Sequence, residues 1–415
     1  MLQNYLTSVM LILSFEHIFD FFRKIPGEAF YKSRRMCYTG DKYPERRSMM
    51  TPAKVYYSDL RASSDMNLPR KLRRLILAAG MNNIDFTRQF AAIKLHFGEP
   101  GNLSFLRPNW AKTVADTVRE LGGLPFLTDC NTLYVGRRKN ALDHLDAAME
   151  NGFSPLSTGC QIIIADGLKG TDERLVPVHG EYVQEAKIGA AIMDADVFIS
   201  LNHFKGHEMA GFGGALKNIG MGCGSRAGKM EMHAAGKPLV AKDRCVGCGK
   251  CRKNCAHEAI TITDRKASID HSKCVGCGRC IGACPMDAVH VAYDEAVDVM
   301  NCKIAEYTKA VLEGRPSFHI SLVIDVSPEC DCDAFNDYPL VPNVGMFASF
   351  DPVALDQACV DAVMAQPPLP GSGAAGSHVH QDHFKMKHPD ADWQALLAHG
   401  EKIGLGTRAY ELIKV

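Results

Sequence analysis

Two stretches of the chain, "CVGCGKCRKNCA" and "CVGCGRCIGACP", repeat one spacing, C-x2-C-x2-C-x3-C. They supply Cys245, Cys248, Cys251 and Cys255, then Cys274, Cys277, Cys280 and Cys284. Thiolates this close in sequence can surround one centre only if the backbone wraps around it. The intervening glycines let main-chain N–H groups approach the sulfurs. Eight of the 16 cysteines fall in these runs. A secreted disulfide scaffold would be short and would carry its cysteines throughout. Clustered thiols in a chain of 415 residues instead point to metal ligands in a reducing compartment, the cytoplasm. Zinc sites usually draw on separated C-x2-C pairs; two tandem runs of four have the spacing of 4Fe–4S ligation.

In two-cluster ferredoxins the fourth cysteine of each run ligates the other cluster. On that pattern one 4Fe–4S cluster takes Cys245, Cys248, Cys251 and Cys284, and the other takes Cys274, Cys277, Cys280 and Cys255. Pro285 follows the second run, whereas Ala256 stands at the matching place after the first. That proline shapes a turn and is not a ligand. Between the runs, "AITITDRKASID" reads as strand, turn, strand. Residues 241–292 are therefore expected to form a ferredoxin-like α+β module.

The host around this module alternates short apolar runs with helix-like segments. The runs "FAAIKLHF", "LPFLTDC", "QIIIADG" and "ADVFISLN" read as strands. "RPNWAKTVADTVRELG", "RKNALDHLDAAMENG" and "GEYVQEAKIGAAIMDA" read as helices. After the module, "EAVDVMNCKIAEYTKAVLEG" and "DPVALDQACVDAVMAQ" are expected helices, and "SLVIDVS" and "VGMFASF" expected strands. This alternation predicts an α/β fold with a mainly parallel sheet flanked by helices. The host is expected to span residues 50–240 and 293–415, interrupted by the module. In such sheets ligands bind beyond the carboxyl ends of the strands.

Forty-seven basic and 47 acidic residues cancel, which gives no electrostatic reason to expect nucleic acid as a partner. The N-terminal "MLQNYLTSVMLILSFEHIFDFF" is interrupted by Glu16, His17 and Asp20 and does not reach the length of a membrane span. It also lacks the basic start of a signal peptide. A basic, turn-rich stretch follows, and strand-like patterning begins only at "AKVYYSDL". Residues 1–49 are thus expected to be an extension, either a miscalled start or a surface amphipathic helix.

The stretch "HEMAGFGGALKNIGMG" combines His207, Lys217 and a run of glycines beside an expected strand end. Glycines there would make a loop whose N–H groups cradle an anion. Lys217 adds a charge, or a nucleophilic amine if burial depresses its pKa. "GCGSRAGKM" lacks the Ser or Thr of a phosphate loop. His203 and His207 are a weak metal pair, and Cys330 and Cys332 in "CDCD" form an incomplete soft-metal site. The tract containing His378, His380, His383 and His388 reads as a solvated loop.

"IKLHFGEPGN", "TDCNTLYVGRRKNALDHLDAAMENGF", "LNHFKGHEMAGFGGALKNIGMGCG" and "SFDPVALDQACVD" together resemble the bacterial and archaeal family called domain of unknown function 362. Its members are often described as iron–sulfur center proteins. "HEMAGFGGALK" is also similar to a loop of lactate racemase-like proteins. That resemblance implies a nickel-pincer-type cofactor tethered on Lys217, with His207 as the catalytic histidine and His233 as the metal ligand. Gly211, Gly213 and Gly214 would form the cofactor-binding loop. Leu216 and Met221 depart from that pattern, standing where an arginine and a proline are usual.

Three functions compete at this stage. The first is a redox protein passing electrons between a partner protein and the α/β domain. The second is an enzyme, an oxidoreductase among the options, acting on a small anionic ligand at His207 and Lys217. The third is a non-catalytic iron–sulfur sensing or structural module.

Overall fold

The structure is a computed structural model that describes residues 51–133, 136–233 and 236–415. The expected extension, 1–49, lies outside the described residues. Eight strands form the central sheet: β1 (Ala53–Ser58), β2 (Phe90–Lys94), β3 (Leu124–Asp129), β4 (Ile162–Ile164), β5 (Val197–His203), β6 (Ser317–Val323), β7 (Gly345–Ser349) and β8 (Tyr410–Lys414). Their spatial order is β8-β1-β7-β6-β5-β2-β3-β4. All neighbours run parallel except at β7, which is antiparallel to both β1 and β6.

Side chains on these strands alternate between two apolar layers, as the period of two requires. Val197, Ile199 and Leu201 face one layer, with Leu72, Val114 and Ala148 from the helices Leu68–Ala78, Pro108–Glu120 and Ala141–Glu150. Phe198 and Phe347 face the other, with Leu216, Ile304, Val353 and Leu396. Those four come from the helices Ala215–Cys223, Val297–Leu312, Pro352–Met364 and Trp393–Lys402. Helix starts follow local chemistry. Asp351 accepts from the N–H groups of Val353 and Ala354, with Pro352 at the first helical position.

One expected helix is part strand and part helix. Within "GEYVQEAKIGAAIMDA", Glu185–Gly189 pairs antiparallel with Glu173–Pro177, and only Ala190–Met193 is helical. The reason is local. Ala186 and Ile188 are buried while Glu185 and Lys187 point outward, an alternation of two that mimics helical spacing over so short a length.

The cysteine-rich segment adds two small sheets. Pro238–Val240 pairs with Val289–Val291, and Ile260–Thr263 pairs with Lys266–Ile269. Asp264 and Arg265 both take positive φ at the tip of the second hairpin, as a two-residue hairpin turn of the favoured hand requires. Each cysteine run contains one short helix, Lys250–Lys253 or Arg279–Ala283, preceded by a left-handed glycine, Gly249 or Gly278. No helix among the described residues is long and apolar enough to cross a membrane.

Candidate functional site

The chain runs from β2 outward through β3 to β4, then returns to lay β5 on the other side of β2 and β6 beyond it. The strand order therefore reverses between β2 and β5, and the carboxyl ends of both strands open at that reversal. A crevice at this point is where open α/β sheets bind ligands. The polar residues that line it are buried. Lys94, the last residue of β2, is 1% exposed. Its Nζ stands 3.0 Å from Asp129 Oδ1 at the end of β3 and donates to Asn218 Oδ1 at 2.7 Å. Burial pushes the Asp129 carboxyl up, but Lys94, His144, Lys229 and Arg138 bring it net below the usual carboxylate range.

After β5 the glycine-rich stretch is not the expected loop. Lys205–His207 pairs with Gly211–Gly213 as a short hairpin, and the helix Ala215–Cys223 follows at once. The N–H groups at the start of this helix are already taken by a carboxyl group from the chain itself. Asp356 Oδ1 accepts from Ala215 N at 2.7 Å and Oδ2 from Leu216 N at 2.9 Å. Gly214 is required there because a Cβ would collide with that carboxylate. Gly211 has φ +77°, and a Cβ would meet the Trp393 ring. Gly213 packs on the Lys205 side chain.

His207 is buried, and its Nδ1 accepts from Met209 N at 3.1 Å and Ala210 N at 3.0 Å. A neutral ring whose Nδ1 lone pair is taken carries its proton on Nε2. Burial, with Lys217 and Lys205 nearby, holds the pKa of His207 well below its ordinary value, so the ring stays neutral. Its Nε2 lies 3.4 Å from Glu208 Oε1. His203 makes no metal pair with it. The His203 Nδ1 is 2.8 Å from Asp331 Oδ1, and its Nε2 is 2.8 Å from the Ile324 carbonyl oxygen.

The loop after β6 brings in residues that sequence reasoning left apart. Lys217 Nζ donates to Cys330 Sγ at 3.2 Å. One ring nitrogen of His207 and the sulfurs of Cys330 and Cys332 lie within 4.8 Å of one another, the only such three-donor group among the described residues. A hydrogen bond from Cys332 pulls the Cys330 thiol well below its ordinary pKa, against burial and with help from Lys217 and Lys205. The same bond, with burial and the neighbouring thiolate, pushes Cys332 well up. Burial alone would lower the pKa of Lys217, but Cys330, Cys332 and Glu208 raise it overall, so the side chain is an ammonium. The free amine that a nucleophilic Lys217 requires is not favoured. Between the sulfurs in sequence, Asp331 is fully buried; burial is outweighed by His203 and Lys205, which bring its pKa to about 2.

His233 closes the helix Arg226–His233 and is buried beside the same lysine. Burial, then Lys217 and Lys229, lowers its pKa to about 3. Its ring meets Tyr293 edge-on at 5.6 Å. Tyr293 is pushed up to about 12 by burial, Cys332 and Glu208. The histidine tract is only partly solvated: His378 and His380 are exposed, but His383 is buried in a short helix and bonded to Ser377 Oγ at 2.8 Å.

The eight clustered cysteines sort into two cavities. Cys245, Cys248, Cys251 and Cys284 line one, together with Ile262, Ala267 and Val289. Cys255, Cys274, Cys277 and Cys280 line the other, with Ile260 and Ile269. Each set takes three cysteines from one run and the fourth from the other. Backbone amides point at two of the sulfurs: Ala267 N lies 3.3 Å from Cys245 Sγ, and Ala288 N lies 3.3 Å from Cys284 Sγ.

Among known proteins, the family model described as "Domain of unknown function (DUF362)" matches residues 91–361. No curated protein matches the chain. Two of the solved structures similar to it are the following. The lactate racemase apoprotein from Thermoanaerobacterium thermosaccharolyticum has 12% identity and a TM-score of 0.34, over 68% of this chain and 52% of that one. A structural-genomics protein from Thermotoga maritima has 12% identity and a TM-score of 0.34, over 64% of this chain and 51% of that one. The chain spans about half the length of each.

Proposed function

Because the chain belongs to the family Domain of unknown function (DUF362), whose description assigns no reaction, we propose a function from its own residues: a redox protein that holds two 4Fe–4S clusters. One would be held by Cys245, Cys248, Cys251 and Cys284, the other by Cys255, Cys274, Cys277 and Cys280. The observation that carries this is the sorting of eight thiols into two four-cysteine cavities. A single zinc ion bonds each thiolate at about 2.3 Å, so two sulfurs on it can be no more than about 4.6 Å apart. No three of the eight sulfurs lie within 4.8 Å of one another, whereas the His207 group does. Sulfurs spread around a cavity suit a cluster better than one ion.

Each cluster, when bound, supplies one-electron chemistry at a potential set by the protein. The chain contributes apolar walls and the amide donors to Cys245 and Cys284, which support a reduced cluster. Cys248 is exposed, and Val246, Val275 and Met286 present apolar surface beside the two runs. That edge suits a redox partner protein. On the inner side, Met230 belongs to the same apolar cluster as Cys245, Cys251 and Cys280, and Arg226 lies against Gly278 and Gly282. The helix carrying both ends at His233, beside Lys217. Electrons leaving the clusters inward would therefore reach the crevice of the α/β sheet.

A small anionic ligand in that crevice remains the second reading, favoured by Lys205 and Lys217 at its wall. A nickel-pincer-type cofactor tethered on Lys217 fits less well, because the lysine is held as an ammonium against Cys330. Anaerobic reconstitution followed by EPR tests the cluster proposal. Two reducible clusters would support electron transfer; clusters that cannot be cycled would leave only a structural or sensing module.

A further inference from the structure

The loop after β6 carries a feature that cluster binding does not use. Cys330 and Cys332 are one residue apart and unlinked, with an ammonium at 3.2 Å from the first sulfur and the His207 ring within 4.8 Å of both. Cys330 is buried at 2% exposure, while Cys332 is half-buried at the side of the crevice. We infer that Cys330 and Cys332 form a redox-active dithiol–disulfide couple that takes up the electrons delivered by the two clusters. This inference rests on the cluster proposal for its electron source.

Two observations favour a redox couple over a metal site built from the same atoms. A three-ligand site from these residues needs a lone pair from His207, and its neutral form has none to offer. Its Nδ1 is occupied by two backbone N–H groups, so its Nε2 carries the proton. That N–H can instead donate to a sulfur anion. The second observation is the asymmetry of the pair. Lys217 donates to the buried Cys330 Sγ at 3.2 Å and so favours a thiolate there, while Cys332 lies half-buried at the side of the crevice. A stabilised thiolate next to a protonated thiol is the reduced form that dithiol couples use, because exchange proceeds through the thiolate.

The step balances without another reagent. The Cys330–Cys332 disulfide accepts two electrons, its S–S bond breaks, and one proton is taken up by the Cys332 sulfur. The products are the Cys330 thiolate, held by Lys217, and the Cys332 thiol. Two reduced 4Fe–4S clusters supply one electron each and return to their oxidised state, so the two-electron demand equals what the pair of clusters holds. The helix Arg226–His233 lies between the two groups of cysteines. Met230 touches the side chains around the cluster cysteines, and His233 lies three residues further along the same helix, an axial rise of about 4.5 Å. The Tyr293 ring meets His233 and stands close enough to Cys332 to share its electrostatic field. Tyr293 also stands two residues after the strand Val289–Val291 of the cysteine module.

The test uses the full-length, cluster-loaded chain under anaerobic conditions. Samples poised in thiol–disulfide buffers are alkylated with iodoacetamide, and the peptide carrying both cysteines is weighed. The expected result is a doubly alkylated peptide when reduced and an unalkylated peptide, lighter by two hydrogens, when oxidised. A single two-electron transition should connect them. In a reductive titration, wild type should take up two more electrons per chain than Cys332→Ser at equal iron content. Both cysteines alkylated at every potential, with equal electron uptake in the two proteins, would overturn the inference while leaving the clusters intact. One zinc per chain that disappears in Cys332→Ser would also overturn it. A disulfide that forms in protein without iron or an EPR signal would instead count against the electron source, because thiol buffers read the couple independently of the clusters.

Discussion

Replacing Lys217 by methionine removes the ammonium that stands 3.2 Å from Cys330 Sγ but keeps a side chain of similar length. Two unit charges at that distance attract by about 5 kcal/mol at an effective dielectric of about 20. One pKa unit corresponds to about 1.4 kcal/mol, so this attraction alone is worth roughly 4 units on the Cys330 thiol. Lys205 stays in place, and water can enter beside the methionine, so the net change should be about 2 units. The sign is fixed: loss of a neighbouring cation disfavours the thiolate and raises the pKa. Alkylation of Cys330, followed by peptide mass spectrometry from pH 5 to pH 10, reads the thiolate fraction. The comparison is made in a Cys332→Ser background, where the hydroxyl can still donate to Cys330 and no disulfide can form. The half-rate pH should move upward by about 2 units with Lys217→Met. An unchanged profile, or one displaced to lower pH, would refute the assignment of Lys217 as the group that holds the thiolate.

Further outcomes follow from other buried charges. Arg138 is 1% exposed and pairs through Nε with Glu99 Oε2 at 2.7 Å, so Arg138→Leu strands a buried carboxylate. It should cost about 3–5 kcal/mol in denaturant unfolding. Burial raises the Asp356 pKa to about 7, against the N–H bonds from Leu216 and Ala215. The folded pKa then exceeds the unfolded one, so this group's contribution falls as pH rises toward and through 7. Between pH 6 and pH 8 it should remove about 1 kcal/mol of stability, and Asp356→Asn should flatten that dependence; an identical slope in the variant would contradict it. Because the fourth ligand crosses between runs, Cys284→Ser should alter the same EPR signal as Cys245→Ser, and Cys255→Ser the same signal as Cys274→Ser. Pairing within runs would show the opposite grouping.

Periodic features of this chain were legible before the structure. The helix Val297–Leu312, the Asp351–Pro352 helix start and the hairpin around Asp264 each rest on residues adjacent in sequence. The parallel sheet followed from the same alternation, but β7 did not reveal its reversed direction, because direction is set by the connection and not by the strand residues. The helix expected over "GEYVQEAKIGAAIMDA" failed where a short strand and a helix share apolar spacing. The glycine run was legible as special and misjudged in detail. Its glycines serve close packing against Asp356, Trp393 and Lys205, which lie far off in sequence or across a hairpin. His207 and Lys217 were singled out from local composition. Their partners Cys330 and Cys332, more than a hundred residues away, showed only as "CDCD". Nothing local signalled that β6 would deliver that loop to the same crevice. Tyr293 carried no sequence signal at all.

The central claim is that eight cysteines hold two four-iron clusters, one in each cavity. Iron analysis of the anaerobically purified or reconstituted chain, with EPR of the reduced protein, tests it most directly. Two four-iron clusters require about eight iron atoms per chain, with signals from two clusters that each accept one electron. One or two zinc ions per chain, with no iron-dependent signal after reconstitution, would contradict it.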